Sequence, residues 1–468
     1  MIRRAAAADK QEDRWAEEEF GDAALGDRRR VARLVSLTAQ ASRRPSGTIT
    51  ATIQGSAERE GAYRWVQNEA IDVDAVARAA HLSCAQRCRA EAMVFVPVDA
   101  SNVTVVDKQK VKGFGQVGNK RQSEVRGLHV MSAIAVTDMG VPVGMCAQSW
   151  WVRKEQPEIK RLRSRPIEEK ETFHWLKVLD QTTRVFKEAG GGCRPFFQLD
   201  CGGDFLEVLK WAHERDEAIT IRAAYNRRLL EPDWGLLWPT LSEMKPLGEC
   251  EFKIPRGRKR KMRTVTLALR ASRVVFSLRK FNRKEYSTAV LGVVHAREVG
   301  APPVGEEPIE WMLITNLNVD SFEQAQFVVY GYSLRWRIEA FHRTWKTSCR
   351  IEDTQLRSVH AVKAWATVLA SVAMRIERLT HLARENPDQP ATVEFTEYEI
   401  QAVILLRRPK GYRVGDIPTV GQMVRWIADE GGYVGAKSSG RPGAQTIGRG
   451  LHEVETVARA LKNAKALA

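Results

Sequence analysis

The apolar positions change period along the chain, and that change divides it. Over roughly the first 72 residues they recur at helical spacing. Trp15, Phe20 and Leu25 lead to Gly26-Asp27, where Asp27 is a candidate N-cap for a helix beginning at Arg28. That helix sets Arg28, Arg29, Arg30 and Arg33 on one side and Val31, Leu34, Val35 and Leu37 toward a core. The run Arg43-Arg44-Pro45-Ser46-Gly47 ends it, and a second helix is predicted over 57–67. From residue 92 the pattern turns to strands. Apolar runs at 93–98, 127–137 and 142–152 predict a meander whose first strand ends on Asp99. A helix follows over 169–188, with Trp175, Leu176, Val178 and Leu179 in its apolar set. Then come a fourth strand over 195–199 ending on Asp200, a helix over 204–215 and a fifth strand over 219–223. A basic, β-prone stretch fills 225–310, and an apolar strand at 311–315 precedes a long helix from Ser321 onward. The segment 384–392, which holds Pro387 and Pro390, reads as a linker, and 393–468 as a third, mostly helical unit.

Three strands, a helix, a strand, a helix, a strand and a final helix is the element order of the ribonuclease-H-like α/β fold, with 225–310 as a β-rich insertion. In that fold carboxylates from the first strand, the end of the fourth strand and the last helix come together. Asp99, Asp200 and Glu339 occupy those three places. Singly, an aspartate at a strand end is as well explained as a turn or helix cap. Together they form a set of hard oxygen ligands suited to Mg²⁺, and a pair of such ions serves both sides of a phosphodiester displacement.

The last helix carries a second pattern. With Tyr332 as the origin and about 100° per residue, Arg335, Glu339 and Lys346 fall near about −60°, −20° and −40°, while Leu334, Ile338, Phe341 and Trp345 gather at about 180–240°. An Arg335–Glu339 salt bridge on an exposed helix accounts for two of the four polar residues, at under about 0.5 kcal/mol. A phosphate-handling wedge, with the acid on metal and the cations on phosphate oxygens, accounts for all four.

Charge points the same way. Lys and Arg number 73 against 57 Asp and Glu, a formal +16 in 468 residues, which favours a polyanionic partner: nucleic acid or an anionic membrane. No run of about 18 apolar residues stands out as a membrane span, and Met1–Lys10 lacks the apolar core of a secretory leader. Seven scattered cysteines, with only His81 near Cys84 and Cys88, lack the spacing of a zinc site and read as reduced thiols of a bacterial cytoplasmic protein. At this length two or three domains are expected.

Tyr332-x2-Arg335-x3-Glu339-x6-Lys346, within YSLRWRIEAFHRTWK, resembles the YREK signature of insertion-sequence-four family transposases. AALGDRRRVARLV (Ala23–Val35) and EGAYRWVQN (Glu60–Asn68) resemble the family's DNA-binding segment, and GGYVGAKSSGRPGAQTIGRGL (Gly431–Leu451) its dimerisation region. The resemblance implies a helical DNA-end-binding domain over 1–72, a catalytic domain over 73–384 and a helical dimerisation domain over 385–468. It implies metal ligation by Asp99, Asp200 and Glu339, two Mg²⁺ ions per site with Mn²⁺ able to substitute, and support from Tyr332, Arg335, Lys346 and Arg222. It further implies that Trp311 holds a flipped base while a DNA hairpin forms; without the family, a buried strand tryptophan is the simpler reading. Arg343 follows the family's additional cation, and Arg29, Arg30 and Arg33 match its end-binding arginines. The basic loop Lys253–Arg263 holds seven Lys or Arg and no acid in eleven residues, so Arg258, Lys259, Arg260 and Lys261 are expected on phosphates.

The sequence departs from the family beside both aspartates, with Ala100-Ser101 after Asp99 and Cys201-Gly202-Gly203 after Asp200. The implied partners are double-stranded DNA (the terminal inverted repeats and a target) and a second copy of the chain in a synaptic complex, in a nucleoid-associated setting. The alternatives are a ribonuclease-H-like DNA nuclease without strand transfer and a catalytically idle DNA-binding regulator. The four-residue wedge and the resemblance at both ends of the chain disfavour both.

Overall fold

The computed structural model describes residues 14–108, 112–118, 124–153, 165–231, 235–254, 260–277, 288–435 and 440–467. Met1–Lys10 and, in the basic loop, Arg258 and Lys259 lie outside them.

The N-terminal part is helical: α1 (Arg14–Phe20), α2 (Arg28–Arg43), α3 (Ile49–Thr52), α4 (Ser56–Gln67) and α5 (Val73–Arg87). Asp27 caps α2 by accepting the Arg29 amide at 2.8 Å, and Leu34, Val35 and Leu37 are buried beneath it. The sequence pattern missed α5. Its apolar residues are mostly alanine, too small to mark a face.

Strands β1 (Met93–Val105), β2 (Gly115–Gln116), β3 (Arg126–Val136) and β4 (Pro142–Trp151) follow. Then come α6 (Phe173–Glu188), β5 (Arg194–Leu199), α7 (Leu206–Arg215) and β6 (Ala218–Arg222). β1, β3 and β4 pair antiparallel, while β5 lies parallel to both β1 and β6. This is the ribonuclease-H-like core. One expectation is corrected: β1 does not end at Asp99 but runs on to Val105, because β3 continues to pair with it there. What ends near Asp99 is the pairing with β5, whose last partners are Val98 and Leu199.

The insertion comprises β7 (Leu229–Glu231), α8 (Leu237–Glu243), β8 (Gly248–Ile254), β9 (Arg263–Ser277) and β10 (Thr288–Glu298). It joins the core through β11 (Glu310–Thr315), which pairs with β6 on one side and β10 on the other, so among the described residues core and insertion share an 11-stranded sheet.

The long helix predicted from Ser321 is two: α9 (Phe322–Ser333) and α10 (Trp336–Thr347). Ser321 and Gln324 form a capping box at the start of α9. At Leu334-Arg335 the backbone tightens, with Leu334, Arg335, Arg337 and Ile338 each donating three residues back. The angular reckoning across one uninterrupted helix therefore fails at this turn. The apolar stripe survives, with Ile338, Phe341 and Trp345 fully buried and Leu334 nearly so.

The chain closes with α11 (Val359–Glu385), α12 (Glu397–Arg407), α13 (Val420–Glu430) and α14 (Ala444–Leu467). Contrary to expectation, α11 is long and apolar enough to cross a bilayer, but 78% of its most apolar window is buried inside the protein. It is a core helix, packed among α2, α4, α5, β4 and α10. The presumed linker is also packed: the Val420 amide bonds to the Gln389 carbonyl and the Gly421 amide to that of Pro387.

Candidate active site

Register creates the site. Val98 and Leu199 are paired neighbours on parallel strands, so the residues after them, Asp99 and Asp200, stand side by side. Side chains alternate along a strand. Val94, Val96, Val98 and Leu199 belong to the core on the α6 and α7 side, whereas Phe95 and Phe196 belong to the core shared with α10 and α11. Asp99 and Asp200 fall in the second set and are directed to the side from which Glu339 approaches. Gly331 permits that approach: a Cβ there would lie 2.5 Å from the Phe95 ring. α9 can therefore press onto β1 and β5 and bring Tyr332 and Arg335 to the aspartates.

Arg335 stands between the acids. Its guanidinium lies 3.6 Å from Asp99 and 2.6 Å from Glu339, and its central carbon sits over the Tyr332 ring, 5.9 Å from the centroid. Burial opposes its charge, but Tyr332, Glu339 and Asp99 outweigh burial and hold it cationic. Asp99 is pushed up to about 7, first by burial and next by the charge of Asp200, with Arg335 pulling the other way. A carboxylate whose charged form is disfavoured by burial and by an acidic neighbour is a group that a cation would relieve. Asp200 accepts the Gly202 amide at 2.8 Å, which fixes it at the strand end.

The donor set suits a hard divalent ion, being carboxylate oxygen with no thiolate or imidazole among the three. Among the described residues, however, no group of three or more His, Cys, Asp or Glu side chains is drawn close enough to hold a metal. Glu339 is instead paired to the Arg335 guanidinium.

The supporting residues divide. Tyr332 is 4% exposed, and burial raises its phenol against the pull of Arg335 and Arg222. Arg222, at the end of β6, donates to the Glu310 carbonyl at 3.3 Å. Lys346 reaches Asn102 at 3.1 Å and Glu352 at 3.5 Å. Trp311 is 4% exposed and stands edge-on to Tyr332 and Trp336 at 5.3 and 5.6 Å. It is a buried strand tryptophan in this state, as its residues alone suggested. Arg343 is exposed on a groove of about 1290 Å³ that also contains Arg260, Trp336 and Glu339. Arg260 stacks over Trp336 at 5.6 Å. The Lys261 amide bonds to Glu306, which with Glu298 also grips Arg263 and ties down the end of the basic loop.

The N-terminal arginines are not equivalent. Arg29 is 92% exposed, sharing Asp27 at 3.2 Å. Arg30 donates to the Leu25 and Ala70 carbonyls, both at 3.1 Å, and Arg33 pairs with Glu58. Sequence reasoning missed several residues here. Asp204, 2% exposed, bonds to the Ala224 amide and to Arg227, bracing the loop after β6 against the Asp200 turn. Glu352 and Asn102 were also passed over; only their contacts in space mark them.

Three stretches of the chain match family models: residues 12–71 the Transposase DNA-binding family, 112–375 the Transposase DDE domain, and 371–468 the Transposase Tn5 dimerisation domain. The DDE match alone spans more than half of the chain. The chain belongs to the DDE transposases, in the Tn5/IS4 family. It is accordingly a DNA-binding, homodimer-forming transposase that uses divalent metal to cleave and transfer DNA strands. Asp200 and Glu339 lie inside the DDE match and Asp99 ahead of it, so the case for Asp99 is the strand register.

Proposed function

We propose that the transposase works by cut-and-paste through a hairpin intermediate, with Asp99, Asp200 and Glu339 holding two Mg²⁺ ions, for which Mn²⁺ substitutes. Bound there, the ions supply an activated oxygen nucleophile and stabilise the leaving oxygen. The chain's own residues do the rest. Arg335, released from Glu339, and Lys346 neutralise phosphate oxygens beside the acids, while Arg222 and Tyr332 line the back of the site. Arg343, Arg260, Lys261 and the neighbouring Arg258 and Lys259 carry the DNA backbone along the groove. Trp311 receives a flipped base, which requires Trp336 or Tyr332 to shift and offers stacking of about 1–3 kcal/mol.

The 1–72 segment engages the terminal inverted repeats through Arg29, with Arg30 and Arg33 bracing the helix that presents it. The 385–468 segment joins two copies into a synaptic complex, and 73–384 performs the chemistry. The sequence of events is one-strand hydrolysis, hairpin formation, hairpin opening and joining to target DNA, in the bacterial cytoplasm at the nucleoid. The observation that carries this reading is the Val98–Leu199 register, which sets two aspartates side by side under Arg335 and Glu339.

The test is a labelled linear duplex carrying the inverted repeats that flank the gene, incubated with protein and Mg²⁺. A nick, followed by a strand of doubled length on a denaturing gel, is expected. Blunt double-strand breaks without the doubled strand would remove the hairpin step. Absence of cleavage in both Mg²⁺ and Mn²⁺ would remove the whole scheme.

A further inference from the structure

Between α10 and α11 the chain makes one short turn, Ile351–Asp353, and Glu352 at its centre reaches back to the catalytic strand. One carboxylate oxygen accepts both the backbone amide of Thr104 at 3.0 Å and the Thr104 hydroxyl at 2.8 Å. The same oxygen lies 3.5 Å from the Lys346 ammonium, which also donates to Asn102 at 3.1 Å. Asn102 and Thr104 belong to β1, beyond the point where its pairing with β5 stops. Glu352 thus caps a stretch of strand that lost its parallel neighbour, and ties it to the last cation of the YREK set.

The turn is itself held firmly. Arg350 adopts a left-handed backbone (φ 52°), a strained conformation for a side chain of this kind. A Cβ on Gly47 would lie 1.9 Å from the Arg350 carbonyl oxygen, so the N-terminal segment abuts the turn and only glycine fits. Trp365 of α11 locks that contact by donating to the Gly47 carbonyl at 3.0 Å. Glu352 is fixed from the DNA-binding side while it holds Lys346 on the catalytic side.

We propose that Glu352 is a positioning residue for strand cleavage. It acts through Lys346, setting the ammonium against the β1 edge so that it meets a DNA phosphate at a fixed distance from Asp99. The inference rests on the function proposed above. A cation held by an anchored partner loses little freedom when the phosphate arrives, and preorganisation of that kind is felt in the rate of the chemical step. Glu352→Gln keeps an oxygen for Thr104 and removes the charge that orients Lys346.

The experiment is a double-mutant cycle on single-turnover nicking of the inverted-repeat duplex at saturating protein, with the melting temperature of every variant recorded. Glu352→Gln is expected to slow nicking about tenfold and Lys346→Ala about a hundredfold, with gel-shift affinity little changed for the former. The double variant should be no slower than Lys346→Ala alone. A purely structural role would lower the rate by the same factor in both backgrounds, and that additivity would overturn the proposal, as would wild-type nicking by Glu352→Gln. If Glu352→Gln does not fold, Glu352→Asp, which keeps the charge and shortens the reach, should slow cleavage only when Lys346 is present. A wild-type protein that does not nick would refute the proposed function and this inference together; an active wild type with an unimpaired Glu352→Gln refutes the inference alone.

Discussion

The catalytic cleft and the arginine helix α2 carry the same kind of sequence signal, a stripe of charge opposite a stripe of apolar residues, and the fold uses the two stripes differently. In the cleft, charges of opposite sign converge from separate elements: Asp99 from β1, Asp200 from the end of β5, Arg335 from the α9–α10 turn and Glu339 from the first turn of α10. On α2 the stripe is mostly spent inside its own domain. Arg30 supports the Leu25 and Ala70 carbonyls, Arg33 faces Glu58, and Arg29 is left open to solvent. A periodic charge pattern therefore identifies a face, and the partners across from it decide whether the face binds a ligand or braces the fold.

The largest effects are expected in the cleft. Asp99→Ala, Asp200→Ala and Glu339→Ala should each lower nicking by about 1000-fold or more while retaining gel shifts on the inverted repeats. Normal metal-dependent nicking by any of them would remove that residue from the site. Next in size is Trp311→Ala. Emptying a buried tryptophan site costs about 3–5 kcal/mol, so the melting temperature should fall; among molecules that remain folded, hairpin formation should suffer more than nicking. Equal loss of the two steps would leave Trp311 a structural residue only.

A third prediction concerns Asp99 without metal. Its carboxyl is raised to about 7 by burial and by Asp200, against an unfolded value near about 4. The folded state therefore holds a proton that the unfolded state gives up, and ionisation costs stability as pH rises from about 4 to about 7. In chelator, Asp99→Asn should melt a few degrees above the wild type at pH 8, with the gap closing toward pH 4 and narrowing when Mg²⁺ is added. A gap independent of pH would contradict the electrostatic account. The smallest effects are expected on α2. Arg30→Ala should cost about 1–2 kcal/mol by stripping a donor from two carbonyls. Arg29→Ala should leave the melting temperature unchanged and reduce the salt slope of end binding by about one. If Arg29→Ala destabilises and Arg30→Ala only flattens the salt slope, the assignment of brace and ligand is reversed.

Much was legible without coordinates. The α2 start at Arg28 and its Asp27 cap, the strands of the core and the apolar stripe through Ile338, Phe341 and Trp345 all follow from local chemistry, because periodicity and capping are written in neighbouring residues. The YREK spacing singled out the segment from Tyr332 to Lys346, where the structure has two helices that break at Leu334-Arg335. Other features depended on neighbours distant in sequence. β1 continues past Asp99 because β3 pairs with it, Arg30 is engaged because Ala70 lies across from it, and Glu352 matters because Thr104 and Lys346 meet it. Hydrogen-bond partners and salt-bridge geometry are set by strand register and helix packing, which sum over the whole chain and leave no local trace. The order of the core strands and the residue types suited to phosphate chemistry are written locally in the chain; which of those charges face one another, and which are already taken, follows from strand register and helix packing.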